Sequence, residues 1–232
     1  MSENIKHRST VIKDVAPESI NMPEKDLYKR DPPKPRRPTV DVIVEILQKR
    51  DGKDKSIKII QYTAKLIMIL GKTPAVSSAY AKYGLDARLS PLARELSMFR
   101  KVIKLFDWVK TLREIQEDDE LDWISLVDLY TEIMDDLYFY AKIGVLDKRL
   151  TDRFARQADI GWFITIFGNL YRKSQVSVKG KAWRLDVAKL LCDLVFCTID
   201  VFEIPADGSW QIVSGLASAS VGYYKIWRKV CI

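Results

Sequence analysis

The residues able to do chemistry are few, and their spacing does not bring them together. Lys179-Gly180-Lys181 resembles the end of a phosphate loop, but the upstream glycine and the following Ser or Thr are missing. Asp135 and Asp136 are adjacent on a predicted helix, so their carboxylates are expected to diverge rather than meet as an acid–base pair. The acidic run Glu117, Asp118, Asp119, Glu120 and Asp122 reads as a solvated loop or a helix cap. Cys192 and Cys197 are five apart, which suits neither one helical face nor zinc; with Cys231 they form no even framework and read as reduced thiols. The one histidine, His7, lies in a polar N-terminal stretch and leaves no His-based triad or metal site. No catalytic residue, cofactor or metal site is therefore expected, and the chain does not read as an enzyme.

The elements that carry these residues are helical. The chain has 232 residues, 47% hydrophobic and 30% charged, with a formal charge of +7. That size supports a real core, and that charge suits an anionic partner. Residues 1–38 read as a basic, Pro-rich flexible tail, broken by Pro17, Pro23, Pro32, Pro33, Pro35 and Pro38. No apolar run opens the chain as a secretory signal would, and Lys229-Val230-Cys231-Ile232 is neither a matrix-targeting end nor a prenylation box. Residues 39–230 read as one helical domain. The spacing predicts helices over 40–49, 53–71 (after a break at Asp51-Gly52), 88–116 and about 121–146, with no alternating strands. The fold class expected is all-α: a membrane-associated helical bundle with amphipathic helices and a C-terminal helical hairpin.

Residues 53–71 carry the sharpest pattern. On a wheel of about 100° per residue, Ile57, Ile59, Ile60, Ala64, Leu66, Ile67, Met68 and Leu70 share an arc of roughly 200°. Asp54, Lys55, Lys58, Gln61 and Lys65 fill the opposite arc. An apolar face bordered by lysines suits the lipid interface, with the lysines on anionic head groups. The same periodicity also describes a core-facing helix of a soluble bundle. The membrane-binding candidates are Lys55, Lys58, Ile59, Ile60, Lys65, Leu66, Ile67 and Leu70.

The C-terminal third adds two apolar segments, 185–204 and 210–224, each short for a bilayer crossing. Arg172, Lys173, Lys179, Lys181 and Arg184 precede the first, and Lys225, Arg228 and Lys229 follow the second. The turn between them holds Glu203 and Asp207. A hairpin places both basic flanks at one end, as the positive-inside rule prefers. Ser214, Gly215, Ser218, Ala219 and Gly222 are small residues at helical spacing and are the helix-packing candidates. Asp193 and Asp200 are expected to face a neighbouring helix or a wet cavity. Residues 160–171 are apolar but short, fit for a buried or re-entrant helix.

Three stretches resemble the peroxin-11 family. Arg50-Asp51-Gly52-Lys53-Asp54-Lys55, running into Ile59-Ile60-Gln61-Tyr62-Thr63-Ala64-Lys65, is similar to the family's Gly-Arg-Asp-Lys element and the helix after it, with Lys53 in place of the more usual arginine. Leu96-Ser97-Met98-Phe99-Arg100-Lys101-Val102-Ile103-Lys104-Leu105 resembles its Arg-Lys helix. Leu190-Leu191-Cys192-Asp193-Leu194, with the Ser/Gly-rich helix ending Tyr224-Lys225-Ile226-Trp227, is the third. The resemblance implies a peroxisomal membrane protein that elongates the membrane before peroxisome division, by inserting an amphipathic helix into one leaflet and by self-association. Its implied partners are the anionic phospholipid membrane, further copies of itself, the fission machinery and a membrane-protein import receptor.

An alternative reading is a peroxisomal membrane channel for small metabolites, with Asp193, Asp200 and Glu203 along a polar path. A soluble basic adaptor for nucleic acid ranks last, because the basic groups are spread over several segments and not gathered on one face; no nucleic-acid partner is expected.

Overall fold

The structure is a computed structural model, and it describes residues 38–118, 122–177, 179–205 and 208–231. Residues 1–37 of the basic tail, Asp119 and Glu120 of the acidic run, and Asp207 of the hairpin turn lie outside the described residues. Those described form α-helices and one 3-10 turn, without a strand. The helices are α1 (Thr39–Gln48), α2 (Arg50–Leu70), α3 (Ser77–Lys82), α4 (Leu85–Lys104), α5 (Asp107–Glu117), α6 (Trp123–Ile143), α7 (Thr151–Ser174), α8 (Lys181–Val201) and α9 (Ser209–Cys231). The all-α expectation holds. None of the described helices is long and apolar enough to cross a membrane.

Local chemistry explains several boundaries. The Asp122 side chain accepts from the backbone N–H groups of Ile124 and Ser125 and starts α6. Gly144, at φ 86°, ends it in the left-handed conformation that glycine adopts without steric cost. The expected single helix over 88–116 is two helices. Phe106 takes a left-handed backbone at φ 67°, and its N–H donates to the Asp136 carboxylate at 3.0 Å. A contact made thirty residues away fixes this break, and no local Gly or Pro announces it.

The break expected at Asp51-Gly52 falls instead at Lys49, whose backbone is extended between α1 and α2. Gly52 lies inside α2, buried, and its role is close approach. A Cβ built on it would run into the carbonyl oxygen of Ile46 in α1. This proximity lets α1 fold back so that Val42 and Ile46 bury against Val230, with Tyr223, Ile226 and Trp227 of α9 around them.

The longer helices close into a ring. Neighbours pack in the order α2–α4–α6–α7–α8–α9, and α9 returns to α2. Gly215 of α9 meets the Tyr62 ring of α2, where an added Cβ would come within 2.6 Å of it. In the α8–α9 pair, Ser218 donates to Asp193 and Gln211 to Asp200. The basic flanks of that pair converge: Lys173 bonds Asp186 at 2.6 Å, and Lys225 bonds the same carboxylate.

Gly52→Ala is expected to lower the thermal midpoint through a loss of about 1–3 kcal/mol, the usual size of an overpacking defect. Gly180→Ala, whose Cβ meets nothing within 4 Å, is expected to leave the midpoint unchanged. Melting curves of the two variants beside the parent chain check this.

Candidate functional site

The ring is polar inside and apolar outside, and α2 shows how. Asp54, Lys58 and Gln61 are buried, while Ile60, Ile67 and Leu70 are 53%, 40% and 51% exposed. The two faces of the wheel are real, but the lysine-bearing one points inward. Lys55 bonds Asp54 at 2.8 Å. Lys58 lies 3.9 Å from Asp193 of α8, with side chains 11% and 5% exposed. Lys65 sits 5.0 Å from the centre of the Tyr62 ring. All three lysines line the interior of the bundle. Asp54 and Asp193, both buried carboxylates, draw Lys55 and Lys58 to that side.

From α4, Arg100 reaches across to α2. Its Nε donates to Asp54 at 2.9 Å and its Nη1 to Gln61 at 3.0 Å. Burial opposes the charge on Asp54, yet Lys104, Lys55 and Arg100 together hold its carboxyl well below the usual carboxylate range. Lys58 is in the opposite position. Burial brings its ammonium down to about 7, against the pull of Asp193 that favours the charged form.

These groups surround a cavity of about 480 Å³. Its basic residues stand on α2 (Lys55, Lys58, Lys65), α4 (Arg100, Lys101, Lys104) and α8 (Lys189). Its acidic residues stand mainly on α6 and α7, namely Asp128, Glu132, Asp135, Asp136 and Asp159, with Asp107 of α5 and Asp193 of α8. Lys101 joins the two walls through Asp135 at 2.6 Å. Tyr62, Trp162 and Phe196 form an aromatic corner, with ring centres 5.9 Å apart from Tyr62 to Phe196 and from Trp162 to Phe196.

A family model for peroxisomal biogenesis factor 11 (PEX11) matches residues 40–181, more than half of the chain. The chain belongs to the PEX11 family. No curated protein and no solved structure matches it. The matched stretch of this PEX11 protein runs from α1 to the first residue of α8 and holds both of the more distinctive motifs. The third resembling stretch, in α8 and α9, lies beyond it. Membership ties the chain to the peroxisome and to its biogenesis.

The first two resembling stretches meet at the cavity: Lys55, Gln61, Tyr62 and Lys65 come from the first, and Arg100, Lys101 and Lys104 from the second. Of the candidates along α2, Lys55, Lys58 and Lys65 line the cavity, Ile60, Ile67 and Leu70 lie outside, and Ile59 and Leu66 are half-buried. The five small residues of α9, Ser214, Gly215, Ser218, Ala219 and Gly222, are all buried. Gly215 faces Tyr62 and Gly222 faces the Lys55 stem. Asp193 lines the cavity; Asp200 pairs with Gln211, and the exposed Glu203 lies 3.4 Å from Arg156. Asp135 and Asp136, expected to diverge, both line the cavity while taking different partners, Lys101 and the Phe106 N–H.

Asp128, Glu132 and Asp159 were not singled out by motif or spacing, and Arg100 and Lys104 stood out only as members of the second resembling stretch. Positions 128, 132, 135 and 136 fall on one helical face, so an acidic stripe along α6 was the signal available. Nothing in the sequence says that this stripe faces the bases of α2 and α4.

Burial pushes the Asp159 carboxyl up to about 6 from an ordinary 3.8; Asp200 and Asp135 add to the rise, and Lys101 opposes it. A carboxyl raised in the fold contributes stability that is fully present below 3.8 and is lost as pH rises through about 6. Asp159→Asn is therefore expected to raise the thermal midpoint by a few degrees at pH 7.5, with the advantage gone near pH 4. Melting curves of parent and variant across that range test the sign.

Proposed function

We propose that this PEX11 protein elongates the peroxisomal membrane ahead of division, by seating the apolar outer side of its helix ring in one leaflet and by self-association. One observation carries this reading: large apolar side chains face out along the ring while ionised groups face in. Besides α2, the exposed set includes Phe99 and Val102 on α4, Ile164 and Phe167 on α7, and Val213 on α9. Exposed apolar area on this scale marks an interaction surface. A leaflet receives such residues among its acyl chains and expands around them, which favours curvature.

In this reading Ile59, Ile60, Leu66, Ile67 and Leu70 are the membrane contacts of α2. Lys58 serves from the other side by holding the helix to Asp193 of α8, and the Lys55 stem packs beside Gly222 of α9. Head-group attraction falls to exposed bases at its two ends, Lys53 and Lys72. The fission machinery and a membrane-protein import receptor are the protein partners that such a role requires.

The polar cavity inside the ring favours a second reading, passage of small metabolites. There Asp193 is the acid along the path, and Asp200 and Glu203, which do not line the cavity, are not.

The triple variant Ile60→Ser, Ile67→Ser, Leu70→Ser is expected to keep its melting midpoint and to lose most sedimentation with anionic liposomes and most tubulation of them. A variant that still sediments and tubulates like the parent would sink the membrane-shaping reading. Dye loaded in the same liposomes separates the second reading. Its escape with the parent chain, reduced by Asp193→Asn and not by Glu203→Gln, is the result expected of a channel.

A further inference from the structure

We propose that the cavity binds a small dipolar phosphate ester carrying an amine, of the phosphoethanolamine or phosphocholine class, either free or as the head group of a phospholipid. The site does not depend on where the ring sits; only the lipid source does. A volume of about 480 Å³ lies within the usual range of small-molecule sites.

The lining charges define the ligand. Seven basic and seven acidic side chains face the cavity, so a ligand carrying both signs, neutral as a diester head group and about −1 as a free monoester, disturbs that balance little. The charges are also sorted. Six of the bases stand on α2 and α4, and six of the acids on α5, α6 and α7. The remaining base and acid pair with each other along α8, at 2.6 Å. A dipolar molecule fits this separation, one end to each wall. A polyphosphate would meet the acids, and a bare amine would meet the bases.

Part of the lining is left to be satisfied. Among the described residues, Lys104 and Lys65 form no direct ion pair, nor do Asp128 and Asp159 on the other wall. Burial disfavours the charge on each of these four groups. A phosphate against Lys104, beside Arg100, and an amine against Asp159 and Asp128 would supply the missing partners through charge-assisted hydrogen bonds. Trp162 follows Asp159 by three residues on α7 and lines the same wall, so its ring offers a face to the amine, methylated or not.

The test is calorimetric titration of the full chain, purified in a maltoside detergent, with phosphoethanolamine and phosphocholine, and separately with inorganic phosphate and ethanolamine. One-to-one binding of either ester, at least tenfold tighter than either half alone, is expected. Lys104→Met and Asp159→Asn should each weaken it about tenfold or more. Dihexanoyl phosphatidylethanolamine and phosphatidylcholine form the second arm. Binding of the free esters assigns a soluble ligand, and binding confined to the short-chain lipids assigns a head group; both support the site. The proposal is overturned if esters and lipids alike bind no better than phosphate, or if both variants bind like the parent. The triple serine variant on the outer face of α2 should bind the ester normally while losing liposomes, so this site and the membrane-shaping role fail independently.

Discussion

The rest of the fold depends on the ion pairs that hold the inner side of α2. Asp54 and Lys58 are one turn apart on that side, and both are buried. Taking such charges out of water costs several kcal/mol each unless partners with good geometry receive them. The partners come from different directions: Arg100 on α4 for Asp54, and Asp193 on α8 for Lys58. Once α2 packs charged side inward, α4 must flank it, α8 must bring Asp193 within reach of Lys58, and α9 must approach closely enough for Ser218 to reach Asp193. The small residues of α9 permit that approach. The apolar exterior follows, because a helix with two faces that turns one in turns the other out.

This explains which parts of the molecule were legible in the sequence. Helix content and the two faces of α2 could be read from periodicity, and the start of α6 from the capping chemistry of Asp122. The direction of the faces could not, because a wheel has no inside. Charges go inward here on account of carboxylates, Asp54 on the same helix and Asp193 far along the chain, whose burial is a property of the assembled ring. The break at Phe106 was hidden for the same reason: it is fixed by Asp136, on a helix that arrives later in the chain. Gly52 misled in the opposite way. A glycine after an aspartate suggests a turn, yet the fold uses its missing Cβ to bring two helices together. Of the cavity, single residues were visible on α2, α6 and α8, and their convergence was not.

The electrostatic design is costly for stability alone. Filling the same volume with apolar side chains would often be neutral or better. Lys104 and Asp159 make the point sharply, since each is desolvated without a direct ion partner. Residues that keep a site unsatisfied are a common mark of function held at the expense of stability. Paired charges such as Arg100 with Asp54 serve the architecture, and Lys104 supports them by favouring the Asp54 carboxylate, whereas the charge of Asp159 has no structural task that a neutral residue would not do better.

The inverted arrangement also bears on how α2 could act at a membrane. A free amphipathic helix must gain all its order on binding, which opposes the binding energy. Here α2 is already folded, and its inner side is already neutralised by Arg100 and Asp193. Its outer row of Ile60, Ile67 and Leu70 is thus presented by a helix held in the bundle. The proposed insertion would wedge more than one helix at once, because Phe99, Val102, Ile164 and Phe167 stand on other members of the same ring. The depth and angle of α2 would then be set by its partners in the bundle, and the ion pairs that close the ring would be what turns an apolar stripe into a wedge.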